Sequence, residues 1–247
     1  MKLLSIAISA NRKLVRFFTK DFRLNSEFEV LIAHYASMSK KILEIGGSNR
    51  PLLKLTENYL IVGCDIDKTK DYSNCYNEFH LGEINTMPHK DFDLIYSSYL
   101  MEHVADAKEM YNVQFQKISG FGGRIVHVYP LGYHPYSIVT KIADKLNLTR
   151  KLIKILRPEA YLISGYKTYF NLGNIYDLEN FLKNHPFVAD YTLKYAYSGS
   201  DYFAALAPLG LAIELFNRIC EIFELRFFAS NVIVDITIDK SAFQMRC

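Results

Sequence analysis

Long apolar stretches are missing from this chain. A bilayer span needs about 18 to 20 uncharged apolar residues. The nearest approach, Phe203 to Leu215, is broken by Pro208 and Glu214, so an integral membrane protein is not expected. Cysteine is sparse as well. Cys64, Cys75, Cys220 and Cys247 are widely separated and form neither a C-x-x-C pair nor a Cys/His ligand spacing. That argues against a disulfide framework or structural zinc and fits a reducing, cytoplasmic compartment. Excess charge is also slight: 29 Lys plus Arg against 26 Asp plus Glu leave a dispersed net charge of +3. A nucleic-acid partner is therefore not expected. No internal repeat is found.

What the chain does have is apolar content, 50% over 247 residues, enough to bury one sizeable core in a single α/β domain. The start, Met1 to Ala10, loosely imitates a secretory signal, but Asn11-Arg12-Lys13 follows at once. The expectation is the first part of an amphipathic, basic helical arm running to Arg23, within an N-terminal helical cap over residues 1–38. A basic arm of this kind suits a lid over a pocket, or weak peripheral contact with an anionic membrane surface.

From residue 39 to 247 strand and helix signals take turns. Ile42 to Ile45, Tyr59 to Asp65, Glu78 to Leu81, Phe92 to Ser97 and Arg124 to Tyr129 read as short strands. Pro51 suits the first turn of a helix, Asp106 caps a helix reaching Ile118, and Gly120 stops it. Such β-then-α units imply a parallel sheet covered on both faces. Residues from about 130 to 171 look like inserted helices. A helix from Ile175 to Asn184, a strand from Val188 to Tyr195, a long helix from Phe203 to Phe227 and a strand from Asn231 to Ile238 follow. In that last strand Val232, Val234, Ile236 and Ile238 point one way and Asp235 and Thr237 the other, so one face is partly polar.

In an open parallel sheet ligands bind beyond the carboxyl ends of the strands. After the first strand come Glu44, Gly46, Gly47 and Ser48, where two glycines let a ligand approach the backbone. Nineteen residues beyond Gly46 the second strand ends in Asp65, placed to accept from the hydroxyls of a ribose. A nucleoside-containing cofactor is expected. The dinucleotide pattern G-x-G-x-x-G is not met, because Gly46-Gly47-Ser48-Asn49-Arg50-Pro51 has no third glycine and a carboxylate stands two positions before the first. That counts against NAD.

Ile42 to Arg50 resembles the first motif of the class I S-adenosylmethionine-dependent methyltransferases, with Ser48 and Arg50 in place of two of its usual glycines. Val62-Gly63-Cys64-Asp65-Ile66 resembles the second motif, and Gly82-Glu83-Ile84-Asn85-Thr86-Met87-Pro88 the G-D-A-x-x-L-P segment. Phe92-Asp93-Leu94-Ile95 begins the fourth, which continues into Leu100-Met101-Glu102-His103-Val104. That last stretch is similar to the L-E-H-V of the group holding ubiquinone-pathway and sugar methyltransferases. The resemblance covers Ser39 to Tyr129.

It implies a Rossmann-like, doubly wound, mostly parallel seven-stranded sheet with an antiparallel last strand and a helical insertion after strand five. It implies S-adenosylmethionine as cofactor, with Gly46 and Gly47 lining the methionine part and Ser48 in the same loop. Asp65 would hold the ribose, Ile66 and Ile84 sandwich the adenine, Glu83 accept from its amino group and Ser97 face the methionyl amine. Glu44 is the motif's acidic residue.

The implied activity is methyl transfer to an oxygen, with nitrogen as second choice, of a small molecule or glycan such as a surface polysaccharide or sugar precursor. His103, after strand four, and His134, after strand five, compete as general base. His127 lies within a strand and reads as a core residue. Tyr129, Tyr133, Tyr136, Tyr161, Tyr166 and Tyr169 cluster around the insertion, where their faces can pack on an acceptor. Metal is not expected, since Ser98 rather than an acid precedes Glu102 by four residues. The substituted glycines motivate a rival, a non-catalytic cofactor-binding or scaffold protein with the same fold. A nucleotide-dependent oxidoreductase is a second.

Overall fold

A computed structural model of the chain describes residues 2–19, 24–47, 51–67, 74–156 and 166–241. Strands β1 (Lys41–Ile45), β2 (Leu60–Asp65), β3 (Glu78–Leu81), β4 (Leu94–Ser98), β5 (Phe121–Pro130), β6 (Val188–Ala196) and β7 (Asn231–Asp239) form one sheet in the order β3-β2-β1-β4-β5-β7-β6. β7 runs antiparallel to both its neighbours, and the other described pairings are parallel. The order reverses between β1 and β4, which opens a crevice at the carboxyl edge there.

Alternation along the strands sends side chains to two cores. On one face Leu43, Val62, Ile95, Ile125 and Ile236 pack under α3 (Ala107–Lys117) and α6 (Ile175–Lys183), which contribute Tyr111, Phe115, Leu178 and Leu182. On the other, Ile42, Ile61, Leu94, Val126 and Ile233 meet Phe28, Ile32 and Ala36 of α2 (Leu24–Ala36). α2 is thus a layer of the domain rather than part of a separate arm, and the joint expected at residue 38 is not a structural boundary. The polar side of β7 is satisfied as the alternation requires. Asp235 accepts from the Tyr35 hydroxyl at 2.6 Å, and Arg124 approaches it at 3.5 Å.

α3 begins where Asp106 accepts from the Glu109 N–H, and α6 where Asn174 accepts from the Asp177 N–H. α4 (Pro135–Lys145) and α5 (Thr149–Leu156) occupy the insertion after β5. Two expectations change. No helix lies between Pro51 and Tyr59, a stretch pinned instead by the buried Leu53. The long helix expected from Phe203 to Phe227 is divided. A 3-10 turn (Ser200–Phe203) precedes α7 (Ala207–Ile222), which Pro208 starts, and a second 3-10 turn (Arg226–Phe228) follows Glu224 at φ +49°.

α1 (Lys2–Phe18) lies on α7. Val15 is fully buried against Ala204 and Ala207, and the Asn11 amide donates to the Ala205 carbonyl at 2.9 Å. Among the described residues no helix is long and apolar enough to cross a membrane.

Candidate functional site

β1 delivers its chain to the crevice through Gly46, at φ +73°, a left-handed conformation that strains any residue with a Cβ. The bend is fixed by its backbone: the Gly46 and Gly47 N–H groups both donate to the Cys64 carbonyl, at 2.8 and 3.2 Å. One strand over, Gly82 N–H donates to the Asp65 carbonyl at 2.9 Å. These bonds hold the loops after β1, β2 and β3 edge to edge.

The acidic residue of the first loop faces inward. Glu44 is buried, and its Oε2 accepts from the hydroxyls of Tyr76 and Tyr96, each at 2.9 Å. Burial pushes its carboxyl up to about 7, against the pull of the two hydroxyls and the Leu52 N–H. Glu44 therefore anchors the returning loop from inside the core and does not line the crevice. Gly47 shares that fate: it is buried, and a Cβ there would lie 2.9 Å from the Tyr76 hydroxyl oxygen. The reason is common to both, since Tyr76 must pass Gly47 to reach Glu44. Gly46 stays partly exposed, with Leu100 packed beside it. Ser48 lies outside the described residues, as do Arg50 and Tyr161.

Asp65 ends β2, and its Oδ1 accepts from the Asp67 N–H at 3.0 Å in a tight local turn. Ile66 beside it is 71% exposed. Glu83 is exposed at the start of the 3-10 turn Ile84–Thr86. Ile84 is 6% exposed and belongs to the core under that turn.

Ser97 does not turn its hydroxyl to the crevice. It is fully buried and shares a 2.7 Å hydrogen bond with His127 Nδ1, while His127 Nε2 bonds Gln114 Oε1 at 2.7 Å. Burial lowers the His127 pKa to about 3, so the ring is neutral and structural, as its place within a strand implied. Any contact of Ser97 with a ligand would run through its backbone.

The two candidate bases part company. His134 is fully buried at the N-cap of α4: the Tyr136 N–H donates to its Nδ1 at 3.2 Å, which leaves Nε2 to donate to Asn217 Oδ1 at 2.8 Å. Both nitrogens are committed and burial lowers the pKa, so His134 is corrected from base to cap. His103 instead donates Nδ1–H to the Lys167 carbonyl at 2.8 Å, which keeps a lone pair on Nε2. Tyr166 lies edge-on to it, ring centroids 5.9 Å apart, and donates to Asp67 at 3.2 Å. The end of the insertion thus bridges the loop after β2 to the turn Met101–His103, roofing the crevice.

Sequence reasoning missed Glu102. It is 4% exposed, burial pushes its carboxyl up to about 8, and its Oε2 is buried without a hydrogen-bond partner. The only signal was its place in the Leu100 to Val104 motif. Glu102 also lines a cavity of about 890 Å³ at the carboxyl ends of β5 and β6, flanked by α1 and α7. Among the described residues no group of three or more His, Cys, Asp or Glu is placed to hold a metal ion.

Strand order, the reversed β7 and helices on both faces give this chain the Rossmann-like fold of the class I S-adenosylmethionine-dependent methyltransferases. Among solved structures it is similar to a SAM-dependent methyltransferase from Archaeoglobus fulgidus, at 14% identity and a TM-score of 0.51, over 86% of this chain and 93% of that one. It is similar also to the MccD protein, at 12% identity and a TM-score of 0.50, over 86% and 96%. No family model and no curated protein matches the chain.

Proposed function

We propose that this protein transfers a methyl group from S-adenosylmethionine to an oxygen, or as second choice a nitrogen, of a small molecule or glycan. The observation that carries the reading is the juxtaposition of the left-handed Gly46 bend with Asp65 and the open Ile66 face, at the point where the sheet order reverses. The residues present fit the cofactor's parts. Gly46 leaves backbone accessible for the amino-acid end, the Asp65 carboxylate suits two ribose hydroxyls, Ile66 over Ile84 suits adenine, and Glu83 suits its amino group. S-adenosylmethionine supplies an electrophilic methyl on a sulfonium, so the protein's contribution is alignment, desolvation and custody of one proton. The Tyr166 roof serves the second of these.

Calorimetry with S-adenosylmethionine tests the reading. One molecule should bind per chain, and D65A should weaken binding about 10- to 100-fold, as expected for losing charge-assisted hydrogen bonds. Preference for NAD(P)H would support the oxidoreductase instead. Binding with no S-adenosylhomocysteine formed across a broad acceptor panel would support a scaffold.

A further inference from the structure

The cavity behind Glu102 adjoins the Gly46 bend. Its wall and the Gly46 bend share one segment: Leu100 packs at 3.1 Å from the position a Gly46 Cβ would take, while Tyr99 and Glu102 line the chamber. Two residues of that wall carry buried polar groups with no partner, the Glu102 Oε2 and, on α7, the Asn217 Nδ2. One can accept and the other donates, so a hydroxyl-bearing ligand that turns these side chains toward the chamber would satisfy both. We propose that this chamber is the acceptor site, that it takes an uncharged polyhydroxylated compound such as a glycoside, and that Glu102 receives the proton of the hydroxyl being methylated. The inference rests on the methyl transfer proposed above.

Charge and shape select that class. Asp201, Glu214, Glu221 and Glu224 line the chamber against Arg12 and Arg218, and Arg218 is paired to Glu214 at 3.3 Å. A phosphorylated or carboxylated acceptor would meet this excess of carboxylates. The Tyr136 and Tyr202 rings, stacked with centroids 3.8 Å apart, give the wall an aromatic edge for the C–H surface of a sugar ring.

The step balances. The hydroxyl proton passes to the Glu102 carboxylate as an oxygen lone pair forms the new C–O bond; the sulfonium, losing that methyl, keeps the pair from the broken S–C bond and becomes a neutral thioether. The groups facing Glu102 are Tyr99, Tyr129 and His103, whose Nε2 lies 3.8 Å from Oε1. Both tyrosine pKa values are raised, so neither supplies negative charge at neutral pH. His103 is not part of the chamber wall, and of the carboxylates that line it Glu102 is the one on the segment packed against the Gly46 bend, which makes it the proton acceptor.

The test uses the full chain, methyl-labelled S-adenosylmethionine and three probe sets: methyl hexopyranosides, hexose phosphates and primary alkylamines. Saturation-transfer NMR should show the glycosides bound and the phosphates not, and label should reach glycosides. E102Q, an isostere of the protonated carboxyl, should lower kcat about 100-fold or more with KM within about threefold, and abolish the rise of rate toward pH 8. E102D should keep the alkaline rise at a reduced rate, which separates loss of the base from loss of the fold. Label on amines or phosphates instead, no glycoside bound by a protein that binds S-adenosylhomocysteine, or an E102Q profile like the parent's would overturn the proposal. Failure to bind S-adenosylhomocysteine would overturn the methyltransfer reading alone, because glycoside saturation transfer still tests the chamber.

Discussion

Replacing Glu44 by glutamine removes a charge from the core while keeping an oxygen for the Tyr76 and Tyr96 hydroxyls. Burial moves this carboxyl from an ordinary 4.5 to about 7 in the folded chain. Below pH 4.5 both folded and unfolded states hold the proton, and the group costs nothing. As pH rises from there to 7 the unfolded chain releases its proton first, and stability drains away; above 7 the loss is complete. At about 1.4 kcal/mol for each pH unit of separation, the full penalty is about 3 kcal/mol. E44Q should therefore match the parent near pH 4.5 and exceed it by about 3 kcal/mol at pH 8, a gain of about 6 to 12 °C in Tm for a chain this size. Urea and thermal melts of both proteins from pH 4.5 to 8.5 give the difference directly. Glu102, raised in the same direction, tilts both curves alike and cancels. Parallel curves across the range would show that Glu44 is solvated or paired as a charge, and would refute the burial argument.

Three further outcomes follow from particular contacts. Gly46→Ala places a Cβ at φ +73° and 3.1 Å from Leu100, so it should cost about 1 to 2 kcal/mol and weaken S-adenosylmethionine binding in calorimetry. Gly120→Ala, whose nearest neighbour is a lysine side-chain atom at 3.9 Å, is the control and should change neither. The His127 ring, with its pKa lowered to about 3, should keep neutral-form NMR shifts from pH 8 to 5. A titration centred near the ordinary 6.5 would remove the Ser97–His127–Gln114 chain as described.

Much of the fold was legible because its signals are local. Short apolar runs ended by glycine, aspartate or serine marked β1, β2 and β4, and the caps of α3 and α6 lie within three residues of the N–H groups they satisfy. The place of Asp65 at the end of β2 was legible for the same reason, by its distance along the chain from Gly46. What could not be read is set by partners far apart in sequence. Glu44 is turned inward by Tyr76 and Tyr96, 32 and 52 residues away. His134 is turned from base to cap by Asn217, 83 residues on. The chamber draws its wall from α1, the turn after β4 and α7, and no window of sequence holds all three.

The roof of that chamber is held by a separate small core, and this makes it separable from the domain. Val15 of α1 packs with Ala204, Ala207 and Leu211 in a cluster that does not merge with the two sheet cores. Gly210 permits the approach: a Cβ there would lie 2.8 Å from Val15 Cγ2 and 3.3 Å from the Ala204 Cα. Valine is stiff about χ1 and cannot swing aside, so G210A must lift α1. The same substitution gains up to about 1 kcal/mol of helix propensity within α7, which offsets part of the cost in the global balance. The contrast to be measured is therefore local. Amide hydrogen exchange in α1 should accelerate about tenfold or more while β1, β4 and β5 amides keep their protection. Equal acceleration everywhere would mean that α1 unfolds only with the sheet, and unchanged exchange in α1 would mean that Val15 is not what seats it.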